Sequence, residues 1–150
     1  MHLELTLQTY QNYIEIESLI GQKYKNENGQ PNNNQIIIKS KIASLPEILI
    51  ISINRVLNNK NINYSRLIFK DTLDLANYID FDLFKDDKKR TTYNLYAINE
   101  CVHTDKYSHY KCYIKMENRW FIFDDDKKVE EYGSFDNSPF IVGLFYKRNA

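Results

Sequence analysis

Cysteine is scarce in this sequence. Only Cys101 and Cys112 occur, and no apolar amino-terminal run leads into a small-residue cleavage site. Both absences argue against a disulfide framework and for a reducing intracellular setting, cytoplasm or nucleus. An excess of one charge is missing as well. Lys+Arg and Asp+Glu balance at 20 each, so no net field gathers nucleic acid or an anionic membrane surface. Long hydrophobic runs are absent too: Leu45 to Ile53 is interrupted by Pro46, Glu47 and Ser52 and falls far short of the ~20 residues a bilayer span needs. Neither nucleic acid nor a membrane is expected as a partner. At 150 residues the chain is the size of one domain with a real core.

What the sequence has in quantity is aromatic side chains, 12 Tyr and 8 Phe, many of them in alternating runs that suit a pleated surface. Near the start, Thr6 as a cap followed by Leu7, Tyr10 and Ile14 predicts a short helix from Thr6 to Tyr13. Lys23 to Gln35 concentrates glycine, proline and asparagine and reads as an exposed loop. Ile36 to Ile42 and Glu47 to Val56 read as strands; the second is apolar on both faces and is expected in the interior of its sheet. A short strand from Arg66 to Lys70, a helical turn from Leu73 to Tyr78 and a charged loop from Asp80 to Arg90 follow. Tyr93 to Glu100, His109 to Met116, Arg119 to Phe123 and Phe140 to Tyr146 are strand-like. The predicted class is α+β, a largely antiparallel sheet with a short N-terminal helix.

The segment from His109 to Asp126 carries the candidate chemistry. With Glu117-Asn118 as a two-residue hairpin turn, Met116 faces Arg119, Ile114 faces Phe121 and Lys111 faces Asp124. Period-two alternation then puts His109, Lys111, Tyr113, Trp120, Ile122 and Asp124 on one face, with Cys112, Phe121, Phe123 and Asp125 on the other. His109 and Asp124 become diagonal neighbours, Cα atoms roughly 7 to 8 Å apart, close enough for the carboxylate to orient the imidazole, expected at Nδ1. A turn one residue longer or shorter selects Asp125 instead. Spacing alone also fits a partly buried strand histidine beside aspartates that solvate a strand end.

Several segments, in order along nearly the whole chain, resemble the ubiquitin-specific proteases. Tyr93-Asn94-Leu95-Tyr96-Ala97-Ile98, Ser108-His109-Tyr110 and Trp120-Phe121-Ile122-Phe123-Asp124-Asp125 resemble the family's histidine box. Leu45-Pro46-Glu47-Ile48-Leu49, running on to Asn54-Arg55, is similar to its Leu-Pro-x-x-Leu strand, Phe69 to Tyr78 to its Phe-x-x-x-Leu-Asp-Leu-x-x-Tyr segment, and Phe140 to Arg148 to its closing strand. Thr6 to Leu19 looks like the stretch leading into the family's fingers. The resemblance implies the palm and fingers of a papain-like cysteine protease fold. It also implies His109 as the base, Asp124 as the orienting acid and Asp125 as a secondary polar contributor at most, in cleavage after the Gly-Gly tail of ubiquitin by a thiolate.

The nucleophile is where the pattern breaks. The family's Gly-Asn-x-Cys-Tyr box has no counterpart between Met1 and Leu19, and neither Cys101 nor Cys112 falls where an activated thiol belongs. The second Cys-x-x-Cys pair of the family's zinc-binding fingers has no counterpart near Lys23 to Gly29. The loose set Cys101, His103, Asp105 and His109 has unconvincing ligand spacing, so no metal and no cofactor is expected. Ser108 replaces the glycine usual before the histidine. Residues 1–150 thus read as one partial domain, the histidine-box half without the cysteine box. The chain is expected to be inert alone and to have as partners ubiquitin or a ubiquitin-like protein and either a second chain that carries the cysteine half or a larger protein complex. The alternative is a degenerate, non-catalytic module that binds ubiquitin or docks onto a larger assembly.

Overall fold

The computed structural model describes residues 1–24, 41–58, 60–82, 84, 90–104, 106–133 and 138–149. Its strands are β1 (His2–Thr6), β2 (Tyr13–Glu15), β3 (Ile48–Asn54), β4 (Arg66–Ile68), β5 (Thr72–Asp74), β6 (Thr92–His103), β7 (Ser108–Met116), β8 (Arg119–Phe123), β9 (Glu130–Tyr132) and β10 (Ile141–Arg148); the one α-helix among the described residues, α1, is Ile16–Tyr24. The main sheet runs β1-β3-β10-β6-β7-β8-β9, with β5 on β6. Every pairing in it is antiparallel except β1 with β3. This is the α+β, largely antiparallel arrangement that the alternating apolar pattern predicts.

Residues 6–13 do not form the predicted helix. Leu3, Leu5 and Leu7 are buried at alternate positions, and β1 pairs in parallel with β3, His2 opposite Ile50 through Thr6 opposite Asn54. Leu7 extends the ladder by donating to the Asn54 carbonyl at 3.0 Å. A period of two with a partner strand available overrides a weak helical preference. The helix starts later, where Ile16 and Ile20, one turn apart, bury one face. Lys23 and Tyr24 close that helix, and the rest of the loop expected over 23–35 lies outside the described residues. So do residues 36–40 of the strand expected over 36–42, and most of the charged loop over 80–90. Ile42 itself bridges to Ile79.

β3 sits in the interior of the sheet between β1 and β10, as its apolar character on both faces predicts; Leu49, Ile51 and Ile53 are buried. The helical turn expected over 73–78 splits into β5 and a short 3-10 turn, Ala76–Tyr78. Two register shifts shape the contact between β6 and β10, one between Ile141 and Gly143 and one between Phe145 and Tyr146. The second leaves Tyr96 as the extra residue. Leu95 and Ile98, three apart, are therefore both buried despite the period of two. The buried tyrosines keep their hydroxyls satisfied: Tyr93 donates to the Pro46 carbonyl at 2.7 Å and Tyr146 to that of Lys70 at 2.9 Å.

Arg55, at the end of β3, is 4% exposed. Its Nε donates to the Ile141 carbonyl at 2.7 Å, and one terminal nitrogen donates to the carbonyls of Asn63 and Ser65 at 2.8 and 2.9 Å. One guanidinium thereby ties the loop after β3 to β10. Burial pulls its pKa down to about 10.

Candidate functional site

The site grows out of the β7–β8 hairpin. Glu117 and Asn118 both take positive φ, 49° and 62°, the conformation of a tight two-residue turn whose twist suits the flanking strands. Met116 consequently pairs with Arg119, Ile114 with Phe121 and Cys112 with Phe123. The face shared by Tyr113, Trp120 and Ile122 packs inward, with Tyr113 and Trp120 buried and the Tyr113 and Tyr132 rings 5.1 Å apart, edge to face. His109 and Asp124 lie at the far end of the same face.

There the structure joins them. His109 Nε2 and Asp124 Oδ1 are 2.5 Å apart. An ionised carboxylate only accepts, so Nε2 is the donor, and in the neutral imidazole Nδ1 is then the basic nitrogen. The sequence pattern predicts the opposite nitrogen. Strand alternation sets which side chains are diagonal neighbours, but not which ring nitrogen turns to the carboxylate. The His109 side chain keeps 30% of its surface exposed, while that of Asp124 keeps 7%.

Asp125 departs from its expected place on the opposite face. Pairing ends at Phe123, Asp125 takes a φ of 51°, and Lys127 N–H closes a turn onto the Asp124 carbonyl at 3.1 Å. The turn brings Asp125 Oδ2 to 3.6 Å from His109 Nδ1, too long for a hydrogen bond but on the same side as the ring.

The second oxygen of Asp124 faces cations. Lys127 Nζ donates to Oδ2 at 2.7 Å, and Lys111 Nζ stands 3.6 Å from it. Lys127 chiefly, then His109 and Lys111, hold the Asp124 carboxyl at about 2, against the upward push of its burial. Behind the pair, the Tyr113 hydroxyl donates to the buried Glu100 carboxylate at 2.8 Å. Burial first, and Glu100 second, raise the pKa of that hydroxyl. The i, i+3 spacing of Lys127 from Asp124 is visible in the sequence, but its meaning depends on the turn.

Neither thiol meets the free nitrogen. Cys101 pairs with Tyr110, and Cys112 with Asn99 and Phe123, on the face opposite His109. Cys101 is buried with its sulfur 3.4 Å from His103 Nε2, and His103 Nδ1 is 2.7 Å from Ser108 Oγ. Burial raises the Cys112 thiol, the reverse of activation. The loose set of metal-ligand types is split between faces, and Asp105 lies outside the described residues. His109, Asp124 and Asp125 do offer one ligand atom each within 4.8 Å. Two of the three already bond each other, however, and the ammonium groups of Lys111 and Lys127 oppose a cation there.

An imidazole bonded to a carboxylate across an antiparallel hairpin has the geometry that a base and its orienting acid would need. A sequence model of the ubiquitin carboxyl-terminal hydrolase family matches residues 3–142, and the chain belongs to that family. It is 35% identical over 97 residues to ubiquitin carboxyl-terminal hydrolase 16 of Arabidopsis thaliana, an alignment covering 61% of this chain and 9% of that protein. It is 31% identical over 116 residues to ubiquitin carboxyl-terminal hydrolase 12 of Saccharomyces cerevisiae, covering 72% and 9%. The fold matches a chain of the SAGA Ubp8/Sgf11/Sus1/Sgf73 DUB module with a TM-score of 0.74 at 22% identity, over 99% of this chain and 33% of that one. The same module bound to ubiquitin aldehyde gives 0.73 at 19%, over 99% and 36%. The chain thus spans about a tenth of the length of these curated relatives and about a third of the structural matches. Among the described residues no helix is long and apolar enough to cross a membrane.

Proposed function

We propose that this chain supplies the base and the orienting acid of a ubiquitin-specific thiol protease site, and that it is without turnover until a cysteine is brought to His109 from outside residues 1–150. The observation that carries the reading is the His109 Nε2 to Asp124 Oδ1 bond, which leaves Nδ1 free to take a proton. In the proposed reaction His109 Nδ1 accepts the thiol proton and the sulfur adds to the terminal glycine carbonyl of ubiquitin. The tetrahedral intermediate then expels the amine, which takes that proton back. Water releases ubiquitin from the thioester by the same base. Asp124 fixes the ring and stabilises the imidazolium.

The partner on this reading is ubiquitin or a ubiquitin-like protein, together with a cysteine-bearing segment in the same or another polypeptide. A second reading, a non-catalytic module that binds ubiquitin or docks into a larger assembly, is favoured by Ser108: its hydroxyl contacts His103 where a glycine would leave the backbone open to a substrate tail.

The test is release of a fluorophore from the ubiquitin carboxyl terminus, alone and with a cysteine-box fragment of a family member. No release alone and release on mixing, abolished by His109→Ala, is the expected result. Turnover by the chain alone that survives replacement of both cysteines would overturn the mechanism. Ubiquitin binding without turnover in any mixture supports the second reading.

A further inference from the structure

We propose that Lys127, assisted by Lys111, is a positioning residue that grips Asp124 by Oδ2 and so keeps Oδ1 on His109 Nε2. The inference rests on the reading of His109 and Asp124 as base and orienting acid.

A carboxylate bonded through one oxygen still swings about its own axis; a second donor on the other oxygen fixes its plane. Lys127 Nζ is that donor at 2.7 Å, with Lys111 Nζ at 3.6 Å on the same oxygen. Lys127 is itself delivered to the spot. Its main-chain N–H bonds the Asp124 carbonyl, and the positive φ of Asp125 reverses the chain, so the side chain returns over the residue its own backbone holds. The burial is unequal: the Lys127 side chain is 70% exposed and that of Asp124 is 7%. Lys127 is therefore the outer cap on an otherwise enclosed carboxylate.

The charged and titratable groups around Asp124 are His109, Lys111 and Tyr113 from β7, Lys127 and Asp125 from the turn, and Glu100 of β6 behind the Tyr113 hydroxyl. Two ammonium groups thus stand against the two carboxylates nearest the ring, and the longer Lys111 distance assigns it the lesser share. With its ammonium largely in water, Lys127 adds little to stability beyond the shift it gives Asp124. Its consequence is expected in the orientation and titration of Asp124.

The experiment is a ¹³C-carboxyl NMR titration of the 150-residue chain from pH 6 downwards, with the His109 Nε2–H proton followed in parallel. Wild-type Asp124 is expected to stay ionised to about pH 2. In Lys127→Met the midpoint should rise by roughly half a unit to one unit, with faster solvent exchange of the Nε2–H. Lys127→Arg should restore both, and Lys111→Met should give a smaller shift. Equal Asp124 titration and equal proton exchange in wild type and Lys127→Met would overturn the assignment. Absence of a hydrogen-bonded Nε2–H in the wild type would instead overturn the His109–Asp124 pair, so the two failures are distinguishable.

Discussion

Replacing Arg55 by Met should destabilise the chain by about 2 to 4 kcal/mol. The guanidinium donates three bonds, to the carbonyls of Ile141, Asn63 and Ser65. Hydrogen bonds from a charged donor contribute about 1.5 to 3 kcal/mol each, and methionine leaves all three carbonyls without that donor. Against this stands the cost of burying the charge. The fall of the guanidinium pKa to about 10 corresponds to about 3 kcal/mol at 1.36 kcal/mol per unit, and a terminal nitrogen, Nη2, is buried without a partner among the described residues. Three bonds outweigh one desolvated cation, but not by their full sum. In urea unfolding the midpoint should fall with the slope unchanged, and the melting temperature should drop by roughly 2 to 4 °C per kcal/mol. Arg55→Lys should fare little better, because one ammonium does not span acceptors on two sides. A Met variant within about 0.5 kcal/mol of wild type would refute the reasoning and show that desolvation cancels the three bonds.

Acid stability should carry the mark of Asp124. Its folded pKa lies below its unfolded one, so its contribution is complete above about pH 4 and lost as pH falls towards 2; Asp124→Asn should flatten that part of the stability profile in urea titrations, and an unchanged profile counts against the pairing. Glu117 holds a φ of 49°, which costs a side chain roughly 1 kcal/mol, so Glu117→Gly should stabilise the hairpin by about 0.5 kcal/mol net of chain entropy; a lower melting temperature would show that the Glu117 side chain contributes more than its strain. Ile98, fully buried between Leu144 and Tyr113, should cost about 2 to 5 kcal/mol on truncation to Ala, read by calorimetry, with a loss under 1 kcal/mol indicating a core that collapses around the gap.

The strands 93–100, 109–116, 119–123 and 140–146 were legible because each alternates over a stretch longer than its errors, and the 117–118 turn fixes the β7–β8 register from adjacent residues alone. That local register is also why His109 and Asp124 were found on one face. The family was legible for a different reason, the order of several short motifs along most of the chain. The remainder rests on contacts between distant segments. Leu3, Leu5 and Leu7 become a strand because β3 offers an edge, and the first residue already bonds Ile48; a window around residue 6 contains nothing of that partner. The extra residues in β6 and β10 are set by the need to keep Leu95, Ile98, Ile141 and Leu144 all inside. Arg55 reads as the end of a strand, and only the loop folded over it makes it a buried tie. At the site, residue order determined which groups stand near each other. The tilt of the ring and the turn after Phe123 decided the rest: that Nε2 meets Asp124, that Asp125 approaches Nδ1 and that Lys127 closes over Asp124. Side-chain reach and a backbone reversal are three-dimensional quantities that no spacing along a chain contains.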